Sequence, residues 1–209
     1  MSSFSRQQLE EWVKTIDVKA DKVLDVGGSQ NPITKRVKSW DVKDYKILDL
    51  AQPHECKQKP DIICDLNDYW DWGNNTKTPE IVNYPDGKDK ELWSYFDEAF
   101  CLEVSEYWYN PYQALKNISS FLKPNGILYI SFHFVYMVHS PKGLDYLRYT
   151  PNGCEKLLKE AGFEIIEHKH RLTDSELLTM YYGYDKMRGI KDNSVNHNVI
   201  GSLIKARKM

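Results

Sequence analysis

Strands alternating with helices predict an α/β protein, a doubly wound, mostly parallel sheet covered on both faces. Three observations carry this. Residues 22–32 read as a buried strand (Val23, Leu24, Val26) that stops at Gly27-Gly28, then a helix start with Asn31 as N-cap and Pro32 first. Asp49 closes the next strand, 21 residues after Gly28. Five consecutive strands end in Gly27, Asp49, Asp65, Glu103 and His133, at the sheet edge where such folds bind ligands.

The elements follow in order. Ser5 with Gln8 has the form of a capping box, and Leu9, Trp12, Val13 and Ile16 follow at helical spacing. This helix is expected beside the glycine turn. After the first strand, Ile33, Val37 and Trp40 predict one face of a helix. Strands are expected over 45–48 and 61–66. Residues 68–95 break the rhythm: an aromatic-rich insertion with Trp70, Trp72, Trp93 and three tyrosines, in the form of a flap or a pinned surface excursion. The fourth strand is 96–102. Asn110 and Pro111 start a helix through Leu115, Ile118 and Leu122, and 123–126 is a turn into a fifth strand over 127–132. Thr150 and Pro151 start another helix, which Gly162 ends. A strand over 163–168, a short helix from Thr173 and a final strand over 197–206 complete a single domain, 1–209.

The totals narrow the function. The chain has 209 residues, 41% hydrophobic and 28% charged, enough for one full core. A net charge of −2 with interspersed signs favours neither nucleic acid nor a membrane surface. No apolar run reaches spanning length, and the first residues lack a signal-peptide core. Cys56, Cys64, Cys101 and Cys154 lack metal-ligand spacing, so no metal is expected and a cytoplasmic setting is.

Glycines at a strand-to-helix turn let a ligand approach the backbone, and the helix start favours a polar or anionic group. An acid about 20 residues on, at the end of the next strand, is where a ribose diol is held. Together they propose a nucleoside-containing cofactor across the first two strands.

In order, these motifs resemble the class I S-adenosylmethionine-dependent methyltransferases. Val23-Leu24-Asp25-Val26-Gly27-Gly28 resembles that family's first motif, Asp49 its acid after the second strand, and Asp65-Leu66 its adenine-side acid. Residues 96–104 resemble the fourth-strand motif, and Leu122-Lys123-Pro124-Asn125-Gly126-Ile127-Leu128 the turn into the fifth. Residues 139–163 are similar to methyltransferases often encoded with surface-glycan genes. Two departures stand out: Ser29-Gln30 where a further glycine is common, and Ser105-Glu106-Tyr107-Trp108 where many relatives carry Glu-His. The resemblance implies a seven-stranded Rossmann-like methyltransferase sheet whose last strand is antiparallel.

It also implies roles. Asp25, Gly27, Gly28, Ser29, Asp49, Leu50, Asp65, Leu66, Leu102 and Glu103 would bind S-adenosylmethionine: Asp49 the ribose, Asp65 the adenine amine, Glu103 the methionine amine. His133 is the candidate base. Tyr107, His139, Arg148 and Tyr149 would either contact a small-molecule acceptor, such as a sugar or glycan-precursor hydroxyl, or fix their loops. Two alternatives stay open. One is a nicotinamide-dependent oxidoreductase, which shares the glycine turn and Asp49. The other is a member of the same fold that binds cofactor without turnover.

Overall fold

The computed structural model describes residues 3–69, 80–81, 92–138, 141, 143–173 and 198–209. Seven main strands form one sheet: β1 (Asp17–Val26), β2 (Ser39–Asp49), β3 (Ile62–Ile63), β5 (Phe96–Cys101), β6 (Leu122–His133), β7 (Phe163–Leu172) and β8 (Val199–Lys208). A two-residue strand, β4 (Glu80–Ile81), adds an antiparallel edge beside β3. The order is β4-β3-β2-β1-β5-β6-β8-β7. From β3 to β6 neighbours are parallel, while β8, the last strand of the chain, runs antiparallel between β6 and β7. This is the Rossmann-like methyltransferase fold that the motifs imply. Its strand order reverses between β1 and β5, which puts the switch crevice beyond their carboxyl ends.

Among the described residues three helices cover the sheet: α1 (Phe4–Val13), α2 (Pro111–Phe121) and α3 (Pro151–Glu160). On one face, Leu115, Ile118 and Phe121 of α2 and Cys154 and Leu158 of α3 pack on Leu24, Leu128 and Ile130. On the other, Leu9, Trp12 and Val13 of α1 pack on Val23, Phe100, Tyr129 and Leu203. Asn110 and Thr150 cap α2 and α3 through the N–H groups of Gln113 and Gly153, each with Pro at the first turn, as their residue types require. Among the described residues no helix is long and apolar enough to cross a membrane.

The structure corrects several boundaries. The cap of α1 is Ser3, which accepts from the Arg6 N–H. Ser5 and Gln8 instead reach β7: Gln8 bonds both backbone groups of Leu172. The helix expected through Trp40 is only a 3-10 turn, Ile33–Lys35. Trp40 lies in β2, which begins at Ser39, because Trp40 and Val42 alternate with exposed Ser39, Asp41 and Lys43. The two-residue period outweighed the chance 3.6-residue spacing of Ile33, Val37 and Trp40. β3 is cut to two residues because Asp65 takes the N–H of Asn67 in an Asx turn. The turn at 123–126 is an irregularity inside β6, with Asn125 at φ 64° and a register shift opposite Phe96–Glu98. The helix expected from Thr173 lies outside the described residues, as does nearly all of the 68–95 insertion between Tyr69 and Leu92.

Candidate cofactor and acceptor site

The strand ends meet as predicted. Cys64 N–H donates to the Asp49 carbonyl at 3.1 Å, so Asp49 and Asp65 sit at the tips of adjacent strands. Glu103 lies two residues past β5, beside Ser131 and His133 of β6.

Asp25 is buried, 4% exposed, and its Oδ2 accepts from the Ile33 N–H at 2.8 Å and the Tyr45 hydroxyl at 2.6 Å. Burial pushes its carboxyl up to about 6 against the pull of those two bonds. Asp25 therefore holds the turn. The glycines are required by this packing. A Cβ on Gly28 would lie 2.5 Å from the Asp25 carboxyl, and one on Gly27, at φ +73°, would lie 2.4 Å from Val104 Cγ2. Val104 thus fills the crevice between β1 and β5 at that depth.

Asp49 is half-buried. Its Oδ2 accepts from the Ser29 N–H at 3.3 Å and its Oδ1 from the Leu50 N–H at 2.8 Å. Burial raises this carboxyl, while the Leu50 N–H and then the Ser29 side chain and N–H oppose the rise. Each oxygen keeps one acceptor position, which matches the two hydroxyls of a ribose. Ser29 is fully buried, with its carbonyl accepting from Lys57 and Gln58. Leu50 is exposed. Asp65 Oδ1 takes both the N–H and the Nδ2 of Asn67, while its Oδ2 has no hydrogen bond among the described residues. Asn67 Oδ1 in turn accepts from Tyr109 and Asn110, joining the β3 tip to the segment after β5. Leu66 is core, and Leu102 packs half-buried on the α1 side.

Glu103 adopts φ 60°. Its N–H donates to Ser131 Oγ, and that hydroxyl donates back to Oε1, both at 2.8 Å. Arg171, fully buried, reaches it from β7 with Nη1 at 3.3 Å from Oε2 and Nη2 on Oε1. The same Nη1 donates to Ser5 Oγ of α1 at 3.0 Å. Arg171 pairs with Gly201 of β8, where a Cβ would lie 2.6 Å from the Phe132 carbonyl of β6. His133 Nε2 lies 3.1 Å from Glu103 Oε2 and 3.5 Å from Glu106 Oε1. Burial alone would lower the His133 pKa, but the two carboxylates outweigh it and raise it to about 9. Burial likewise opposes ionisation of Glu103, and Arg171 and His133 overcome it, holding that carboxyl well below its ordinary range. The imidazole stacks on Tyr136 at 4.2 Å.

The expected acceptor residues divide. Tyr107 is half-buried at the mouth. Tyr149 is a tether: it is 7% exposed, its hydroxyl donates to the Ser105 carbonyl at 2.9 Å, and its ring packs on Phe132. Arg148 is spent on its own loop, pairing with Asp145 at 2.6 Å and donating to the carbonyls of Tyr136, Met137 and Leu147. These bonds fix the loop before α3. His139 lies outside the described residues. Tyr109 and Tyr146, both exposed, meet edge to face at 5.7 Å.

Sequence reasoning missed Arg171 and Ser131, while Glu106 and Val104 stand in the run after the fourth strand that it had singled out. A glycine within the apolar run of β8 was the one available signal, since it marks a close approach.

No family model matches the chain, and no curated protein does either. Solved structures share the fold. An S-adenosylmethionine-dependent methyltransferase from Mesorhizobium loti is 13% identical with a TM-score of 0.58, covering 98% of each chain. The 1,6-didemethyltoxoflavin-N1-methyltransferase of Burkholderia thailandensis, solved with its substrate and S-adenosylhomocysteine, is 14% identical with a TM-score of 0.51, covering 99% of this chain and 76% of that one. A 4+2 cyclase is 18% identical with a TM-score of 0.54, covering 96% and 80%.

Proposed function

We propose that this chain, whose fold is that of S-adenosylmethionine-dependent methyltransferases, binds S-adenosylmethionine and transfers its methyl group to a small-molecule acceptor, a sugar or glycan-precursor hydroxyl. The observation that carries the reading is Asp49. Its two half-buried carboxylate oxygens, at the tip of β2 beside the glycine turn, each retain one acceptor position. A ribose diol fits that pair. Asp65 Oδ2 would take the adenine amine, and the backbone at Gly27 to Ser29 would border the methionine portion.

When bound, this cofactor supplies an activated methyl group and a positive charge. What remains for the chain is to hold the acceptor in line and exclude water, and positioning of this kind supplies roughly 7–11 kcal/mol. Glu103, fixed by Arg171 and Ser131, sets the local charge and the shape of the mouth. His133, held charged between two carboxylates, has no free electron pair at neutral pH. Its role in this reading is to pair with Glu103, its nearer carboxylate, not to take a proton. Tyr107, Tyr109 and Tyr146 offer ring faces for a sugar at the rim. The four free thiols fit a reducing, cytoplasmic setting.

Calorimetry with S-adenosylhomocysteine tests the reading. Wild-type protein binds, and Asp49→Ala loses at least tenfold in affinity. Absence of heat with wild type, or equal binding by the variant, refutes it. The commitment of His133 to two carboxylates also favours a second reading, in which the site binds cofactor without methyl turnover. Label transfer to a metabolite extract from methyl-labelled cofactor separates the two.

A further inference from the structure

Glu106 lies in the 3-10 turn Ser105–Tyr107 directly after β5. It is 1% exposed. Its backbone carbonyl accepts from Tyr146 at 2.8 Å and Leu147 at 3.3 Å, so the segment before α3 lies over it. Neither oxygen of its carboxylate has a hydrogen bond. Among the described residues Glu106 is ion-paired with His133 Nε2 at 3.5 Å, but that nitrogen is closer to Glu103, at 3.1 Å. A single N–H cannot serve both carboxylates well. Glu103 also has Arg171 and Ser131; Glu106 has neither. A buried carboxylate without a donor is strongly destabilising, and native structures seldom keep one without a use.

Among the described residues the other cations of the mouth are committed, Arg171 to Glu103 and Arg148 to Asp145 and three carbonyls. The environment therefore disfavours an anionic group and lacks one thing, a hydrogen-bond donor. We propose, resting on the methyltransfer reading above, that Glu106 is the specificity-determining residue of the acceptor site. It receives an O–H or N–H hydrogen of the acceptor. The acceptor class is polar and donor-bearing, a hydroxyl or an amine, and not a carboxylate or phosphate.

The test uses the full chain in two measurements. In the free protein, Glu106→Gln removes a frustrated charge and raises the melting temperature by roughly 2–6 °C at neutral pH. A carboxylate that served only as a structural partner of His133 would give a fall instead, and a fall overturns the proposal. The second measurement follows the His133 ring nitrogens by NMR during titration with ethanol and with ethylamine. At least one probe shifts them saturably in wild type and at least tenfold less in Glu106→Gln, and the responding probe tells which hydrogen is read. No shift in wild type, or equal shifts in both proteins, overturns the proposal. Calorimetry with S-adenosylhomocysteine on the same samples keeps the parent reading separate, because lost cofactor binding refutes that reading while the melting and NMR results still judge Glu106.

Discussion

Raising the pH across the His133 window probes the buried charge cluster directly. His133 is 2% exposed and its pKa rises from 6.5 to about 9 in the folded chain. At about 1.4 kcal/mol per pH unit, the gap amounts to about 3 kcal/mol. The sign follows from proton binding. Between the two pKa values the folded chain keeps a proton that the unfolded chain has lost, so stability falls as pH rises. The contribution is complete below about pH 6.5 and gone once pH has passed through about 9. Asp25 does not interfere. Its folded pKa of about 6, raised from 3.8, places its change at lower pH. The thiols of half-buried Cys64 and buried Cys101, both pushed up by desolvation, add their own loss near pH 9 and above, where unfolded thiols ionise. Comparison with His133→Gln removes that background. Urea unfolding of both proteins from about pH 6 to about 9.5 should show the wild-type advantage shrinking by about 3 kcal/mol. Parallel profiles would mean that the ring is not held charged, and the account of Glu103, Glu106 and His133 would fail with it.

Three more outcomes follow from the same contacts. Gly27→Ala forces Val104 aside and leaves alanine at positive φ, for a loss of about 2–4 kcal/mol by urea unfolding; adding Val104→Ala recovers only the steric part. Arg171→Met strands the Glu103 carboxylate and destabilises by about 3–5 kcal/mol, and the double variant with Glu103→Gln recovers most of it, a coupling that a thermodynamic cycle reads. Thr150→Ala removes the cap of α3 and costs about 1 kcal/mol in thermal or urea unfolding, with Pro151 left in place.

Legibility followed the range of the interactions. The caps of α2 and α3 are read from Asn110-Pro111 and Thr150-Pro151, because cap and N–H lie three residues apart. The strand ends at Asp49 and Glu103 are read from apolar runs that stop at acids. The turn after β1 is harder. Gly27-Gly28 marks a close approach, but the approaching groups are Val104 and Asp25, and residue 104 is placed there by the parallel pairing of β1 with β5. Trp40 fell to the wrong element because a spacing of three and four residues coincided with a strand that alternates only from Ser39 onward. Ser5 has the form of a cap by local pattern, yet its hydroxyl answers a guanidinium 166 residues away.

What the sequence determined by itself is the alternation of elements, the parallel sheet and the row of polar residues at its carboxyl edge. Each is set by side-chain period and by contacts within a few residues. What tertiary structure alone decided is how those polar residues are spent. Arg171 reaches Glu103 only because β8 inserts antiparallel between β6 and β7, and His133 becomes a cation only because two carboxylates converge on one ring nitrogen. Charge state and hydrogen-bond commitment depend on distances between strands far apart in the chain, and no local pattern encodes those distances.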